Sequence, residues 1–397
     1  MKPLADLTVV EAGQVVSAPF AGMLFADMGA DVIKVERPET GDSQRHVTPG
    51  SHSIGDFEFL NRGKRSLELD LRDEAGQAVF KDLLADADIF IENLSPGAFD
   101  RLGMSLESLA ESYEDLVMLS LKGFGSGPYE DRLGVDHPIE AETGMSYMTG
   151  LEDNPLRVGF SIVDITSATY LTLGALTVQR NLPLPPEDRV VTVGMFETAA
   201  LLMGQSISYA AIEGEAPAPL NENIFKWAVY DYFDTADDEV VFFGLVSDAQ
   251  WKRFASAFDM EDILEDPEMQ NEAGRVEHRE QIQTRVRDAI GSMSQDEVLS
   301  RLDNIRVPYA PLQTPADLLD DPHLAGEGKL VSVTRESGEE IPLPAPPMES
   351  PFFEYGDNVG TPGLGEHSAE VLHEIGYDDD DIEKLFDDDA VGTTADN

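Results

Sequence analysis

The sequence contains no cysteine. This excludes disulfides, thiolate metal sites and a cysteine nucleophile, so any thiol chemistry must come from a ligand. Lysine is almost as scarce, with nine in 397 residues. No apolar run is long enough to span a bilayer, and the start Met1-Lys2-Pro3-Leu4-Ala5-Asp6 has no signal-peptide pattern, so a cytoplasmic location is expected. No GxGxxG or P-loop pattern follows the first apolar segment, which disfavours nicotinamide dinucleotides and nucleoside triphosphates as ligands. There is no GxSxG elbow, which argues against serine hydrolase chemistry. None of the seven histidines falls in a metal-ligand spacing, so no metal is expected.

Acid is what the chain has in excess: 77 Asp and Glu against 27 Lys and Arg, a net charge of -50. A phosphate backbone or an anionic membrane would meet a repulsive field over most of the surface. With 42% hydrophobic residues the chain nevertheless reads as globular, and its length suits two or three domains. The acid is spread along the chain and lysine is depleted, as expected of a protein from a salt-rich cytoplasm. In about 1 M salt the Debye length is roughly 3 Å and surface carboxylates barely repel. Dialysis to dilute buffer is therefore expected to unfold the protein or abolish its activity; an intact melting transition there would refute this. The tightest acid run, Asp378 to Asp381, precedes the helical pattern Ile382 to Phe386 and reads as helix capping.

From Leu7 to Leu121 short apolar segments alternate with helical patterns. The expected strands are Leu7 to Val10, Val32 to Val35, Ser66 to Leu69, Ile89 to Ile91, Leu116 to Leu121 and, later, Val190 to Val193. Expected helices include Ala18 to Met28, Glu74 to Leu84, a stretch near Pro138 to Met148, a long one after Asp164, and Phe196 to Ala211. The alternation predicts an α/β fold with a parallel sheet covered by helices. After the linker Glu213 to Pro219 come two strands, Val229 to Phe233 and Glu239 to Gly244, and helices at Asp248 to Phe258, His278 to Ser292 and Gln295 to Asn304, a smaller α+β domain. Beyond Lys329 the chain reads as Pro-rich and Gly-rich loops leading to a helix at Ser368 to Ile375. The expected division is 1–213, 214–328 and 329–397.

Arg37, Lys64, Arg65, Arg72, Arg101 and Arg132 supply much of the sheet half's positive charge; taken singly they read as solvated surface. Asp164, after Phe160-Ser161-Ile162-Val163, opens a long helix. Local pattern allows either an N-cap aspartate or a nucleophilic carboxylate steadied by the helix terminus. His367 lies at a helix start and reads as structural.

Several blocks together resemble the class III coenzyme A transferases, the family of formyl-CoA transferase, carnitine CoA-transferase and the α-methylacyl-CoA racemases. They are Asp27 to Pro38 with Gly41-Asp42, Asn61 to Asp70, Glu92 to Gly97, Lys122 to Gly125, Asp164 with its helix, Asp248 to Trp251, Val307 to Pro311 and Gly363 to His367. Their order spans nearly the whole chain.

The resemblance implies a Rossmann-like large domain built from both chain ends, a small domain inserted between, and two interlocked subunits. It also implies coenzyme A over the sheet, with Val15, Arg37, Leu69, Arg72, Asn93, Leu94, Arg101 and Leu102 at matching positions. Asp164 would be the nucleophile, ionised at neutral pH, passing through a mixed anhydride to an aspartyl-CoA thioester, with N–H groups near the helix start stabilising the oxyanion. The chain departs from the family at Gly134-Val135-Asp136, where racemases carry a histidine base in place of the valine. His137, displaced by two residues, is a candidate contact for a substrate carboxylate, with a helix-end histidine as the alternative. The region from about Ala216 to Trp227 lacks the glycine run of formyl-CoA transferase, which argues against oxalate. Similarity to salt-adapted, dicarboxylate-using members implies succinyl-CoA as donor and mesaconate or a similar acid as acceptor. Transfer within one dicarboxylyl-CoA, or racemisation, are the alternatives.

Overall fold

The computed structural model describes residues 2–48, 50–51, 54–220, 227–326, 328–355 and 358–392. Two compact units form, one from Met1–Pro217 and His323–Asn397, the other from Ala218–Pro322. All six strands expected in the larger unit pair in one parallel sheet. They are β1 (Thr8–Ala12), β2 (Asp31–Glu36), β3 (Arg65–Glu68), β4 (Ile89–Glu92), β5 (Val117–Lys122) and β6 (Val190–Gly194), in the order β3-β2-β1-β4-β5-β6. This is the doubly wound order, in which the direction of winding reverses between β1 and β4. A crevice opens there beyond the carboxyl ends of the strands.

The strands are buried on both faces, as a parallel sheet requires. On one face Val10, Ile33 and Phe90 meet Val79, Phe80 and Leu83 of the Glu74–Ala85 helix. The C-terminal helices Ser368–Glu374 and Asp379–Asp387 add Val371, Leu372, Ile382 and Leu385 to this core. Phe80, Phe90 and Phe99 interlock with centroids 5.3 to 6.0 Å apart. On the other face the Ser17–Asp27 helix and the Ile162–Gln179 helix cover Val9, Ile91 and Leu119 with Ala21, Phe25, Val163, Ala168 and Leu171. Among the described residues no helix is long and apolar enough to cross a membrane.

The acidic run caps a helix as expected: Asp378 Oδ1 accepts the Asp381 N–H at 3.0 Å. His367 is structural as expected, its backbone N–H donating to Ser66 O and its Nδ1 accepting from Ser66 N. Two expected helices break. Gly144, with φ of 81°, separates Asp136–Glu142 from Met145–Thr149, and the Phe196 to Ala211 stretch divides into Met195–Leu202 and Gly204–Glu213.

In the smaller unit, β7 (Tyr230–Asp234) and β8 (Val240–Gly244) pair antiparallel and are joined by β9 (Tyr309–Pro311), a strand too short and too proline-flanked to stand out in the sequence. Phe233, Phe243 and Phe254 stack at 4.5 and 5.3 Å at its core. The loops expected after Lys329 are instead a three-stranded sheet of β10 (Leu330–Thr334), β11 (Glu340–Pro344) and β12 (Asn358–Gly360), ordered β11-β10-β12. Pro342 and Pro344 masked it; β11 is an edge strand, where proline's missing donor is tolerated.

Candidate active site

The loop leaving β1 is where the site begins. Gly13 has no room for a side chain, because a Cβ would overlap that of Ala18. Val15 then takes φ of 68°, a left-handed conformation unfavourable for a β-branched residue. Two side chains hold it there. Asp42 Oδ1 accepts the Val15 N–H at 3.2 Å, while Asn93 accepts from Gln14 N at 2.9 Å and donates to Gln14 O at 2.8 Å.

Beneath this loop lies a cluster of buried charge. Lys34 Nζ reaches Glu11 at 2.8 Å, Asp42 at 3.0 Å and Gly13 O at 3.0 Å; Lys64 Nζ reaches the other Glu11 oxygen at 2.6 Å. Burial opposes the charge on Lys34, but the carboxylates of Glu11, Asp42 and Glu36 outweigh it and raise its pKa above the ordinary value. Lys64, buried and beside Lys34, is pushed down to about 8. Lys64 is therefore part of the scaffold and not available to a ligand. Arg65 is likewise tied to Asp31, Glu370 and Glu374, and Arg132 is bidentate to Glu142 at 2.9 and 3.0 Å.

Asp164 sits in the first turn of the Ile162–Gln179 helix and is not its cap: Ser161 holds that position and makes no side-chain cap bond. The cap comes from Asp136, whose Oδ2 accepts the N–H groups of Val163 and Asp164 at 2.9 and 3.0 Å. Ile162 N–H donates to Phe160 O and Ile165 N–H to Ser161 O. The N–H groups from Ile162 to Ile165 are thus all engaged. Burial, and then the charge of Asp136, push the Asp164 carboxyl up to about 7; the Ser17 hydroxyl and His137 pull the other way. Asp164 is consequently not fully ionised at neutral pH, in contrast to the expectation from an ordinary aspartate.

Asp136 is buried, and burial together with Glu140 pushes it up to about 6 against the opposing pull of the Asp164 N–H. His137 Nδ1 lies 3.1 Å from Glu140 Oε1 and 3.3 Å from Asp136 Oδ1, and Glu140 Oε2 accepts the Val158 N–H at 2.8 Å. Donor atoms of Asp136, His137 and Glu140 lie within 4.8 Å of one another, residue types that can hold a metal ion, in a grouping that histidine spacing did not reveal. His137 stands in the first turn of the Asp136–Glu142 helix, half-exposed.

Two clefts meet at Gln14 and Leu94. The larger, about 580 Å³, is lined by Val15, Asn93, Leu94, His137 and Asp164, with Ser17 and Asp136. The narrower one, about 150 Å³, is lined by Arg37, Leu69, Arg72, Leu94 and Leu102. Arg37 is exposed and bonds Gln14 Oε1 at 3.3 Å; Arg72 is exposed and bidentate to Asp70. Arg101 lines neither cleft and hydrogen-bonds Ser95 and Pro96, which line the larger one. The Asn93 side chain is committed to the loop and to Ser17. Of the segment Ala216 to Trp227, residues 221–226 lie outside the described residues. The sequence reading missed Ser17 and Glu140, and it passed over Asp136 while attending to the valine before it.

A recessed carboxylate at the switch point of a doubly wound sheet, next to an arginine-flanked cleft, defines an α/β protein suited to acyl transfer with a large anionic ligand. The chain belongs to CoA-transferase family III, whose model matches residues 4–368, and it is a CoA-transferring enzyme. It is 31% identical to a succinyl-CoA:mesaconate CoA-transferase of Haloarcula hispanica, over 95% of this chain and 97% of that one. It is 30% identical to a succinyl-CoA–D-citramalate CoA-transferase of Chloroflexus aurantiacus over 97% of both chains. The solved structure of a CAIB/BAIF family protein from Brucella suis superposes with a TM-score of 0.82 at 27% identity, covering 93% of this chain and 98% of that one.

Proposed function

We propose that the enzyme moves coenzyme A from a dicarboxylyl-CoA thioester to a free dicarboxylate through an aspartyl-CoA thioester on Asp164. The observation that carries this is the Asp164 carboxyl facing a cleft that joins the narrower, arginine-flanked one at Gln14 and Leu94. Arg37 and Arg72 suit the phosphates of the CoA nucleotide, Leu69 and Leu102 its adenine, and Val15, Asn93 and Leu94 the turn toward the larger cleft. Arg101 is a rim cation on the same path.

The Asp164 carboxylate attacks the donor thioester carbonyl and expels CoA thiolate, leaving a mixed anhydride. The thiolate attacks Cγ of Asp164 and releases the donor acid. Attack by the acceptor carboxylate on Cγ and return of the thiolate complete the exchange. The thiol is the ligand's, as a cysteine-free chain requires. Relatives named for succinyl-CoA with mesaconate and with D-citramalate favour succinyl-CoA as donor and a four- or five-carbon dicarboxylate as acceptor. A transfer within one dicarboxylyl-CoA uses the same steps. Racemisation has less support, because Val135 offers no base and the His137 Nδ1 is turned to Glu140. The half-exposed His137 is a candidate contact for the distal substrate carboxylate.

A homodimer is supported by apolar side chains left exposed on three helices: Leu173, Leu201, Ile207 and Ile212 are 50 to 80% exposed. The decisive test incubates the protein in high salt with succinyl-CoA and maps adducts by mass spectrometry. A CoA adduct on Asp164, resolved by added mesaconate with formation of mesaconyl-CoA, is expected. Exchange of an α-proton with deuterium and no CoA exchange with any acceptor would overturn the transferase reading.

A further inference from the structure

We infer that Asp136 is a positioning residue for the nucleophile: its Oδ2 grips the backbone N–H of Asp164 itself and that of Val163, and so sets where the Asp164 carboxyl stands in the cleft that both residues line. This rests on the aspartyl-CoA reading above and adds what holds its nucleophile in place.

The chain leading to Asp164 does little to place it. Residues 155–161 form neither strand nor helix, and Pro155, Leu156, Arg157, Gly159 and Phe160 are exposed. The N–H groups at a helix start have no partner within the helix, and Ser161 makes no side-chain cap bond. The hold comes from the Asp136–Glu142 helix. Asp136 Oδ2 accepts the Val163 and Asp164 N–H groups at 2.9 and 3.0 Å, and one turn further on Glu140 Oε2 accepts the Val158 N–H at 2.8 Å. The approach to Asp164 is therefore held at both ends.

The grip is itself fixed to the sheet. Gly123, directly after β5, and Gly134 touch backbone to backbone, for a Cβ on Gly123 would lie 2.5 Å from Gly134. Asp136 follows two residues later and is 6% exposed, Glu140 is fully buried, and Ile139 between them packs into the core that also holds Val163. His137 Nδ1 lies 3.3 Å from Asp136 Oδ1 and 3.1 Å from Glu140 Oε1. A rigid path thus runs from β5 to the residue that reacts. One of the two N–H groups held by Asp136 is that residue's own, so a shift of the helix start by an ångström carries the carboxylate with it. Misplacement on that scale costs a reaction on the order of 100-fold.

Single-turnover formation of the Asp164 adduct from succinyl-CoA in high salt, quenched and quantified by mass spectrometry, separates positioning from folding. A partly unfolded variant gives less adduct at the wild-type rate constant, whereas a misplaced nucleophile gives the full amount slowly. In Asp136→Ala the rate constant is expected to fall about 100-fold. The final amount of adduct, and the succinyl-CoA concentration giving half the maximal rate, should stay within two-fold of wild type. Asp136→Asn, whose amide oxygen can accept both N–H groups, should recover most of the rate. An Asp136→Ala rate constant within two-fold of wild type would overturn the proposal. So would Asp136→Asn as slow as Asp136→Ala, because charge and not position would then be at work. Should circular dichroism show that Asp136→Ala does not fold, Asp136→Ser takes its place, its hydroxyl too short to reach both N–H groups. Slow but complete adduct formation there supports the assignment, and a wild-type rate constant overturns it. Absence of any adduct in the wild type overturns the aspartyl-CoA reading itself and the role of Asp136 with it.

Discussion

Two groups of buried charge lie at the carboxyl edge of the large sheet, and they are composed differently. Under the Gly13 to Val15 loop, Glu11 and Asp42 are matched by Lys34 and Lys64 at 2.6 to 3.0 Å. Around the Ile162–Gln179 helix start, Asp136, Glu140 and Asp164 share one half-exposed imidazole, that of His137. Matched charges in a dry interior stay ionised and fix geometry. Burial, and after it the neighbouring carboxyls, drive the pKa values of Asp136 and Asp164 up to about 6 and about 7. The difference fits the role proposed for Asp164: balanced charge holds the strained loop, and unbalanced charge keeps a carboxyl titrating near neutral pH.

The largest test of this division is at Asp164. Asp164→Ala should lower the rate of CoA exchange by on the order of 10⁴-fold or more, as removal of a nucleophile does, while the protein stays folded. Retained exchange, assayed with succinyl-CoA and mesaconate, would move the reactive group elsewhere. Next comes the balanced cluster. Lys34→Met leaves Asp42 buried without its cation and Glu11 with Lys64 alone, and should destabilise the large unit by about 3–5 kcal/mol in urea melts at high salt. A loss below about 1 kcal/mol would mean that the pairing is dispensable and that the contrast between the two groups is wrong.

The contrast was only half legible in the sequence. Every strand of the large sheet could be read from short β-branched runs bounded by turns, because a parallel strand buried on both faces writes a continuous apolar pattern. β10 to β12 could not, since two prolines in β11 imitate a loop. Arg37, Arg72, Leu69 and Leu102 line one cleft, whereas Lys64 and Arg65, equally basic in the sequence, are consumed by Glu11 and Asp31. Which cation is free depends on partners 34 to 53 residues away, and no local pattern carries that. The cap of the Asp164 helix shows the same limit. An aspartate near a helix start suggested an N-cap, and the capping is done by another aspartate, 27 and 28 residues earlier than the N–H groups it holds.

The poised carboxyl should also cost stability, with a sign opposite to that of the cluster. The folded-state pKa of Asp164, about 7, lies above the ordinary 3.8. The folded protein therefore binds the extra proton between those values, and its stability falls as pH rises from about 4 through 7. Asp164→Asn keeps the shape but removes the charge. Above pH 7 it should be more stable than wild type by about 2 kcal/mol, allowing for partial solvent access, and below pH 4 the two should melt together. An Asp164→Asn variant that is less stable at pH 8 would show that the carboxylate is adequately compensated in the folded state. It would then resemble Glu11 more than the acids beside it.

The smallest effects are expected where charge is neither buried nor crowded. Arg72 is 80% exposed and its pair with Asp70 is open to solvent; Arg37 is exposed beside Gln14. Exposed pairs contribute little to folding, so Arg37→Ala and Arg72→Ala should leave the melting temperature unchanged in high salt. What they should change is the approach of a phosphate-bearing ligand. KM for the CoA thioester is expected to rise a few-fold for each, with kcat unaffected, since a contact at the nucleotide end contributes equally to the ground and transition states. Salt decides how much is visible: at about 1 M the Debye length is roughly 3 Å, and what survives is direct contact rather than long-range attraction. A KM effect that persists at high salt therefore assigns these two arginines to the ligand itself. One that vanishes on raising the salt makes them steering charges only, and leaves the narrower cleft without a cation that touches what binds there.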